Sequence, residues 1–214
     1  MIGKYVAILD WEISRDRNGE YYCGQIADMV LKATDQCVTA AANLKERDTA
    51  AIRAASEGLI LSGECIAFCG SSRPASGTEH MIGQTWEVMD VEEGKVPNLH
   101  GIEVGEGTFT AIEIFRRLYQ ETNDAHMKAL IEKYLPAFDR IEQLQKELRI
   151  PFTVTDKERY TQGILRGRTF RDRYTVLQYL HDLGRLEEYA DAVYEPVMRK
   201  YCYSTFRETF PDWE

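Results

Sequence analysis

Apolar residues recur every three or four positions over long stretches of this chain, and this spacing constrains the fold more than any other feature. In the first such stretch Tyr5, Ile8, Leu9 and Ile13 share one side of a helix, as expected when 3.6 residues make a turn. Few β-branched alternations interrupt the pattern, and no segment reads as a convincing strand. The sequence therefore predicts an all-α protein.

Turn and capping residues divide this pattern into separate helices. Gly19 and Gly70 are expected to end the first and third helices, while Asp48 and Asp156 are placed to cap helix starts. Residues 70–77 are too rich in Gly, Ser and Pro to be helical, and Ser76 or Thr78 is the candidate cap after them. The predicted helices cover residues 2–16, 24–44, 49–69, 78–90, 100–123, 124–133, 136–147, 156–166, 174–183 and 185–205.

The arrangement of these helices is predicted from the apolar faces. No internal repeat or low-complexity linker divides the chain, so residues 1–214 are expected to form a single helical domain. The third helix is expected to be central because it carries many apolar residues. In the first helix Asp10, Glu12 and Asp16 are interpreted as the solvent-facing side. The apolar residues of the third helix include Ile52, Leu59, Ile60, Cys65 and Phe68.

Composition excludes several classes of partner. The net charge is −9 and the acidic residues are spread along the chain, so no extended basic surface is expected to bind nucleic acid. The longest apolar runs are far shorter than the roughly 20 residues of a membrane span. The five cysteines are odd in number and lie in helical patterns, which favours reduced thiols and a cytoplasmic protein.

Two of the four histidines, His80 and His100, stand at predicted helix starts, each after a loop. Their imidazoles can face each other if the two helices pack side by side. Neutral imidazole binds Zn²⁺, Ni²⁺ or Fe²⁺, and a catalytic metal usually takes three protein ligands, so two histidines are an incomplete set. The alternative is a pair of partly exposed polar residues. His126 and His181 are expected to have no chemical role.

Other residues allow two interpretations each. The Gly and Ser residues before His80, together with the charge of Arg73, favour an anion such as phosphate at the helix start. The basic run of residues 166–173 is either a set of salt bridges to an acidic surface or an anion-binding wall. Cys65 and Cys69 could chelate a metal, but a buried stripe of small residues explains their spacing better.

The segment SRPASGTEH, residues 72–80, followed by Leu99-His100-Gly101, resembles the metal-binding region of glycerol-1-phosphate dehydrogenases of the bacterial type. These enzymes are related to iron-containing alcohol dehydrogenases, glycerol dehydrogenase and dehydroquinate synthase. The resemblance extends to residues 3–5, 9–11, 19–23 and 171–177. It implies a C-terminal all-helical metal-binding domain of the dehydroquinate synthase-like fold, which faces an N-terminal Rossmann-like NAD(P)-binding domain across the active-site cleft.

The resemblance also implies roles for particular residues. His80 and His100 match the two histidine ligands of a divalent metal, Zn, Ni or Fe. The family's third ligand, an aspartate before Gly3, is missing, and no Gly-x-Gly-x-x-Gly loop is found, so we expect the nucleotide-binding domain to be absent. Gln84 replaces a histidine close to nicotinamide and substrate; it can hydrogen-bond but does not shuttle a proton. Candidate contacts to cofactor or substrate phosphate are Ser72, Arg73 and Ser76.

The implied reaction is reduction of dihydroxyacetone phosphate by NAD(P)H to sn-glycerol 1-phosphate, with the metal as Lewis acid. On this hypothesis the chain is the metal and substrate domain, either expressed as a fragment or completed by a separate nucleotide-binding polypeptide, and it is inactive alone. The alternative is a non-catalytic helical module or remnant that serves binding or oligomerisation. We also expect exposed apolar surface where the nucleotide-binding domain packs in the family, and a homodimer is one way to cover it.

Overall fold

The computed structural model describes residues 1–212, and this part of the chain is all-α, with no strand beyond one isolated bridge between Phe152 and Thr205. A 3₁₀ turn covers Ala41–Leu44. No helix in residues 1–212 has the length and apolar character needed to cross a bilayer. The helices are α1 (Lys4–Asn18), α2 (Gly24–Ala40), α3 (Thr49–Cys69), α4 (Thr78–Glu92), α5 (His100–Glu121), α6 (Ala125–Glu132), α7 (Leu135–Leu148), α8 (Lys157–Gly167), α9 (Val176–Asp182), α10 (Leu186–Ala192), α11 (Tyr194–Tyr201) and α12 (Phe206–Thr209).

The glycines and capping residues identified in the sequence mark most helix ends correctly. Gly19 and Gly70 adopt the left-handed conformation after α1 and α3, with φ of +67° and +70°. The carboxylates of Asp48 and Asp156 accept backbone N–H bonds at the starts of α3 and α8. The predicted helix over residues 185–205 is wrong, because it is divided between α10 and α11, where Pro196 has no N–H to continue the backbone ladder.

Helix α1 lies at the centre of the molecule and packs against α2, α4, α5 and α6. Its residues from Lys4 to Ser14 are buried, so the interpretation of Asp10 and Glu12 as solvent-facing is wrong. Both carboxylates have partners inside the protein, and for Glu12 these are Tyr134 and Lys133. Asp16, by contrast, is exposed as expected. Buried carboxylates are tolerated here because each accepts hydrogen bonds.

Helix α3 packs mainly on α2 at the edge of the molecule, so the expectation that it is central is wrong. Its small residues make the contact: a Cβ on Gly58 would lie 2.4 Å from Cys37 Sγ. The large apolar side chains point outward, and Leu59, Ile60 and Phe68 are 58%, 64% and 70% exposed. These side chains form an exposed apolar face on α3, and the packing of a nucleotide-binding domain on such a surface stays a prediction.

Helices α4 and α5 pack antiparallel at close range. A Cβ on Gly107 would lie 2.2 Å from the carbonyl oxygen of Glu79, and one on Gly83 would lie 3.0 Å from the backbone of Glu103. Only glycine permits backbones to approach this closely. The first turn of α4, which carries His80, is therefore held against the body of α5.

Candidate functional site

The structure brings the two predicted histidines together. His80 lies on the first turn of α4 and His100 is the first residue of α5. Their ring centroids are 5.5 Å apart and the ring planes are tilted by 51°. The side chain of His80 is 16% exposed and that of His100 is 54% exposed. The His80 ring is therefore mostly buried, and the His100 ring projects towards solvent.

A glutamate carboxylate contacts Nδ1 of each imidazole. Nδ1 of His80 lies 2.7 Å from Oε1 of Glu79, and Nδ1 of His100 lies 2.5 Å from Oε1 of Glu87. A carboxylate at Nδ1 favours the tautomer that keeps the proton there, which leaves the lone pair of Nε2 available to a ligand. Sequence reasoning missed both glutamates, although Glu79 is part of the quoted motif.

The distance between the rings suits two imidazoles on one metal ion. With metal–nitrogen bonds of 2.0–2.1 Å and tetrahedral angles, two ring centroids would lie about 5 Å apart. The donor chemistry of His80 and His100 therefore fits two ligands. Within residues 1–212, however, no group of three or more His, Cys, Asp or Glu side chains is arranged to hold a metal, and this applies to Cys65 and Cys69 as well.

The start of α4 is fixed by a buried carboxylate from α1. Asp10 accepts the backbone N–H of Thr78 at 2.6 Å and that of Val176, at the start of α9, at 2.8 Å. Burial raises the pKa of Asp10 to about 7, although these hydrogen bonds act in the opposite direction. The prediction that Ser76 or Thr78 caps α4 is wrong, because Gly77 is the capping residue and no side-chain bond is made from it.

Arg73 faces the interior instead of the pocket beside His80. It is 1% exposed, and its guanidinium donates to the carboxylate of Glu20, to Ser14 Oγ and to the carbonyl of Tyr174. These partners anchor the loop before α4 to α1. A contact between Arg73 and a phosphate stays a prediction; Nε and Nη2 are already engaged, while Nη1 is buried without a hydrogen-bond partner among residues 1–212.

The other predicted residues gather around two arginines from the basic run. Ser72 Oγ accepts from Arg173 at 2.7 Å and from Arg171 at 3.4 Å. The backbone oxygen of Ser76 accepts from Arg173, while its own Oγ is buried without a hydrogen-bond partner among residues 1–212. Gln84 Oε1 accepts from Arg171 at 3.0 Å.

The basic run therefore divides into three groups, one of which is Arg168 alone, whose guanidinium donates to Gln178 Oε1. On the surface Nη2 of Arg166 donates to both carboxylate oxygens of Glu92, a salt bridge of the kind that the first interpretation of the run predicts. Arg171 and Arg173 contact the loop before His80. In the described part of the chain neither forms an ion pair with a carboxylate. Sequence analysis noted the run but did not distinguish its members.

An open pocket of about 310 Å³ lies between α3 and this loop. One wall is apolar and comes from α3, and the opposite wall is polar. Lys4 closes the base, with Nζ donating to the carbonyl of Ala75 at 2.8 Å, and burial lowers the pKa of this ammonium group. The residues that line the pocket are Lys4, Leu59, Ser62, Gly63, Ile66, Ser72, Ala75, Ser76, His80 and Arg171.

The fold and site define an all-α protein whose cationic pocket is bordered by one of two adjacent histidines. The relatives of this chain are bacterial and archaeal proteins named glycerol-1-phosphate dehydrogenase [NAD(P)+]. The protein from Bacillus licheniformis is 30% identical over 195 residues, which covers 87% of this chain and 48% of the relative. Those from Sulfurisphaera tokodaii and Methanosarcina acetivorans are 32% and 29% identical, covering 75% and 83% of this chain and 45% of each relative.

These relatives confirm the family resemblance predicted from the motifs. The chain spans about half the length of the curated relatives it matches, which is consistent with a C-terminal domain of that enzyme. No protein-family model matches the sequence. The all-α architecture of residues 1–212 also agrees with the predicted fold class.

Proposed function

We propose that this chain supplies the metal- and substrate-binding part of a glycerol-1-phosphate dehydrogenase-like oxidoreductase. The observation that carries the proposal is the pair of imidazoles, 5.5 Å apart, with a carboxylate at each Nδ1. His80 and His100 are the two metal ligands in this proposal. The names of the relatives supply the substrate class and the NAD(P) cofactor.

In the proposed reaction dihydroxyacetone phosphate is reduced by NAD(P)H to sn-glycerol 1-phosphate. A bound Zn, Ni or Fe ion supplies Lewis-acid activation of the substrate carbonyl. The residues of this chain orient the reactants. Glu79 and Glu87 hold the two imidazoles in the ligating tautomer, while Gln84 offers an amide to a substrate hydroxyl. The nicotinamide nucleotide is bound by a nucleotide-binding domain that residues 1–214 do not include.

A metal titration tests the proposal. Isothermal titration calorimetry with Zn²⁺ and Ni²⁺ is expected to show weak binding to the wild-type chain, because only two ligands are available. His80→Ala and His100→Ala each remove one ligand and should abolish measurable binding. His126→Ala is the matched control, since His126 lies on the surface against Asp16. Equal affinities of wild type and His80→Ala would remove His80 from the site.

A non-catalytic module is the second candidate function. The exposed apolar face of α3, formed by Leu59, Ile60 and Phe68, favours it because surfaces of this kind mark contacts with other proteins. The same face also suits a nucleotide-binding polypeptide under the first proposal. Zinc binding that depends on both His80 and His100 favours the dehydrogenase. Formation of the expected homodimer with no metal binding favours the module.

A further inference from the structure

Arg171 and Arg173 are unusual among the arginines near the site because neutral groups hold them. Arg73 pairs with Glu20 and Arg166 pairs with Glu92. Arg171 donates only to Ser72 and Gln84, and Arg173 donates to Ser72 and to the carbonyl of Ser76. Two guanidinium charges are thus oriented without a neutralising carboxylate bonded to either in residues 1–212.

Ser72, which both arginines contact, is half-buried, and its hydroxyl hydrogen is free to donate to a ligand or to solvent. Ser72 Oγ accepts a hydrogen bond from each arginine, and these two bonds use both of its lone pairs. The hydroxyl hydrogen has no acceptor among the hydrogen bonds of residues 1–212. A hydroxyl whose oxygen is occupied by two cationic donors is polarised and is a strong donor to an anion.

The charges around this serine are concentrated. Burial and the like charges of Arg73 and Arg171 lower the pKa of Arg173, against the opposing effect of Glu20 and Glu79. Lys4 adds an ammonium group at the base of the same pocket. Like charges held together at a half-buried surface repel one another, and a bound anion relieves that repulsion.

We infer that Arg171, with Ser72 and the charge of Arg173, binds the phosphate group of a phosphate monoester in the pocket beside His80. Arg171 and Ser72 both line that pocket, and guanidinium groups match the oxygens of phosphate in geometry as well as charge. The identity of the monoester as the substrate rests on the proposed function. The phosphate site itself depends only on the arginines and the serine.

Phosphate could also come from the nucleotide cofactor, and the pocket favours the substrate as its source. Arg171 binds Gln84, which lies one turn after His80 on α4. A phosphate held at Arg171 therefore places the remainder of a three-carbon molecule close to the imidazole. The apolar wall of Leu59 and Ile66 encloses that short chain on the other side.

Calorimetry in a chelating buffer, without metal, tests the inference. Inorganic phosphate and sn-glycerol 1-phosphate are expected to bind the wild-type chain, whereas glycerol is not. Arg171→Gln should weaken phosphate binding by about tenfold or more, because a hydrogen bond to a charged group is lost. Arg166→Gln is the matched control from the same segment and should bind phosphate as wild type does. Circular dichroism verifies that each variant is folded.

Two outcomes would overturn the inference: equal phosphate affinity of wild type and Arg171→Gln, or no phosphate binding by the wild type. Binding of NADP⁺ with no binding of sn-glycerol 1-phosphate would overturn the assignment of the site to the substrate, because the 2′-phosphate of NADP⁺ is also a monoester. Arg171→Gln should leave the zinc affinity unchanged. Phosphate binding that depends on Arg171, together with zinc binding that is insensitive to His80→Ala, would support the anion site and reject the proposed metal site. The two proposals therefore fail separately.

Discussion

The carboxylate of Asp10, in the middle of α1, accepts a 2.6 Å hydrogen bond from the backbone N–H of Thr78 at the first residue of α4. Its other oxygen accepts the N–H of Val176, so one side chain fixes the starts of two helices. Because His80 lies two residues after Thr78, this buried carboxylate sets the position of the candidate site.

Asp10→Asn should therefore destabilise the protein. In the variant the NH2 group of the amide, which only donates, faces one of the two backbone N–H donors, so one of the two hydrogen bonds is lost inside the core. The expected decrease in the free energy of unfolding is about 1–3 kcal/mol at pH 8, measured by urea denaturation. Asp28→Asn, on the exposed side of α2, is the control and should change little. Equal losses in the two variants would contradict the double-capping role of Asp10.

The close approach of α4 and α5 depends on Gly107. In Gly107→Ala the new Cβ would lie 2.2 Å from the carbonyl oxygen of Glu79, so the helices have to separate. We expect a loss of about 1–3 kcal/mol in stability and weaker zinc binding, because His80 moves relative to His100. Gly105→Ala on the same helix has nothing within 4 Å of the new Cβ. That variant should be stabilised by roughly 0.5–1 kcal/mol, and a loss there similar to that of Gly107→Ala would argue against a specific contact.

Arg73 is expected to stabilise the folded protein. Arg73→Met leaves Glu20 without its cation and removes the bonds to Ser14 and Tyr174. We expect the free energy of unfolding to decrease by about 3 kcal/mol. This lies at the lower end of the range for a broken buried ion pair, because Glu20 is partly solvated. Arg53→Met breaks an exposed pair with Glu57 on α3 and should cost only about 0.3–0.5 kcal/mol. Thermal unfolding of both variants measures the difference, and a cost for Arg73→Met as small as that for Arg53→Met would be inconsistent with this role.

Glu106 should make stability depend on pH. It is fully buried and accepts bonds from Thr153 and Val154, and burial raises its pKa to about 8 from an ordinary value near 4.5. Between these values the folded protein holds a proton that the unfolded chain releases, so this contribution to stability decreases as the pH rises.

The comparison of wild type with Glu106→Gln reports that contribution together with the interaction between Glu106 and Glu103, because carboxylates that do not interact with Glu106, such as Asp10, titrate equally in both proteins. Urea unfolding between pH 5 and pH 8, at intervals of about one unit, should show the stability difference moving in favour of the variant as the pH rises. Glu158→Gln, at an exposed position of α8, should follow the wild type throughout. A constant difference between wild type and Glu106→Gln would show that Glu106 is ionised across the whole range.

The sequence by itself determined the helices and the histidine motif. Gly19, Gly70, Asp48 and Asp156 mark helix ends through hydrogen bonds and dihedral angles that act within about four residues, so they can be identified without a partner segment. The family resemblance carried by residues 72–80 and by His100 was also present in the sequence, and the relatives confirm it.

Only the tertiary structure decided which polar residues are buried and which cations face the pocket. Asp10 resembles a solvent-facing residue because its partners, Thr78 and Val176, lie 68 and 166 positions away in the chain. Arg171 and Arg173 are separated by about 100 residues from the Ser72 hydroxyl that they share. Burial and charge clustering depend on which helix faces meet, and that choice is made by packing over the whole molecule instead of by local sequence.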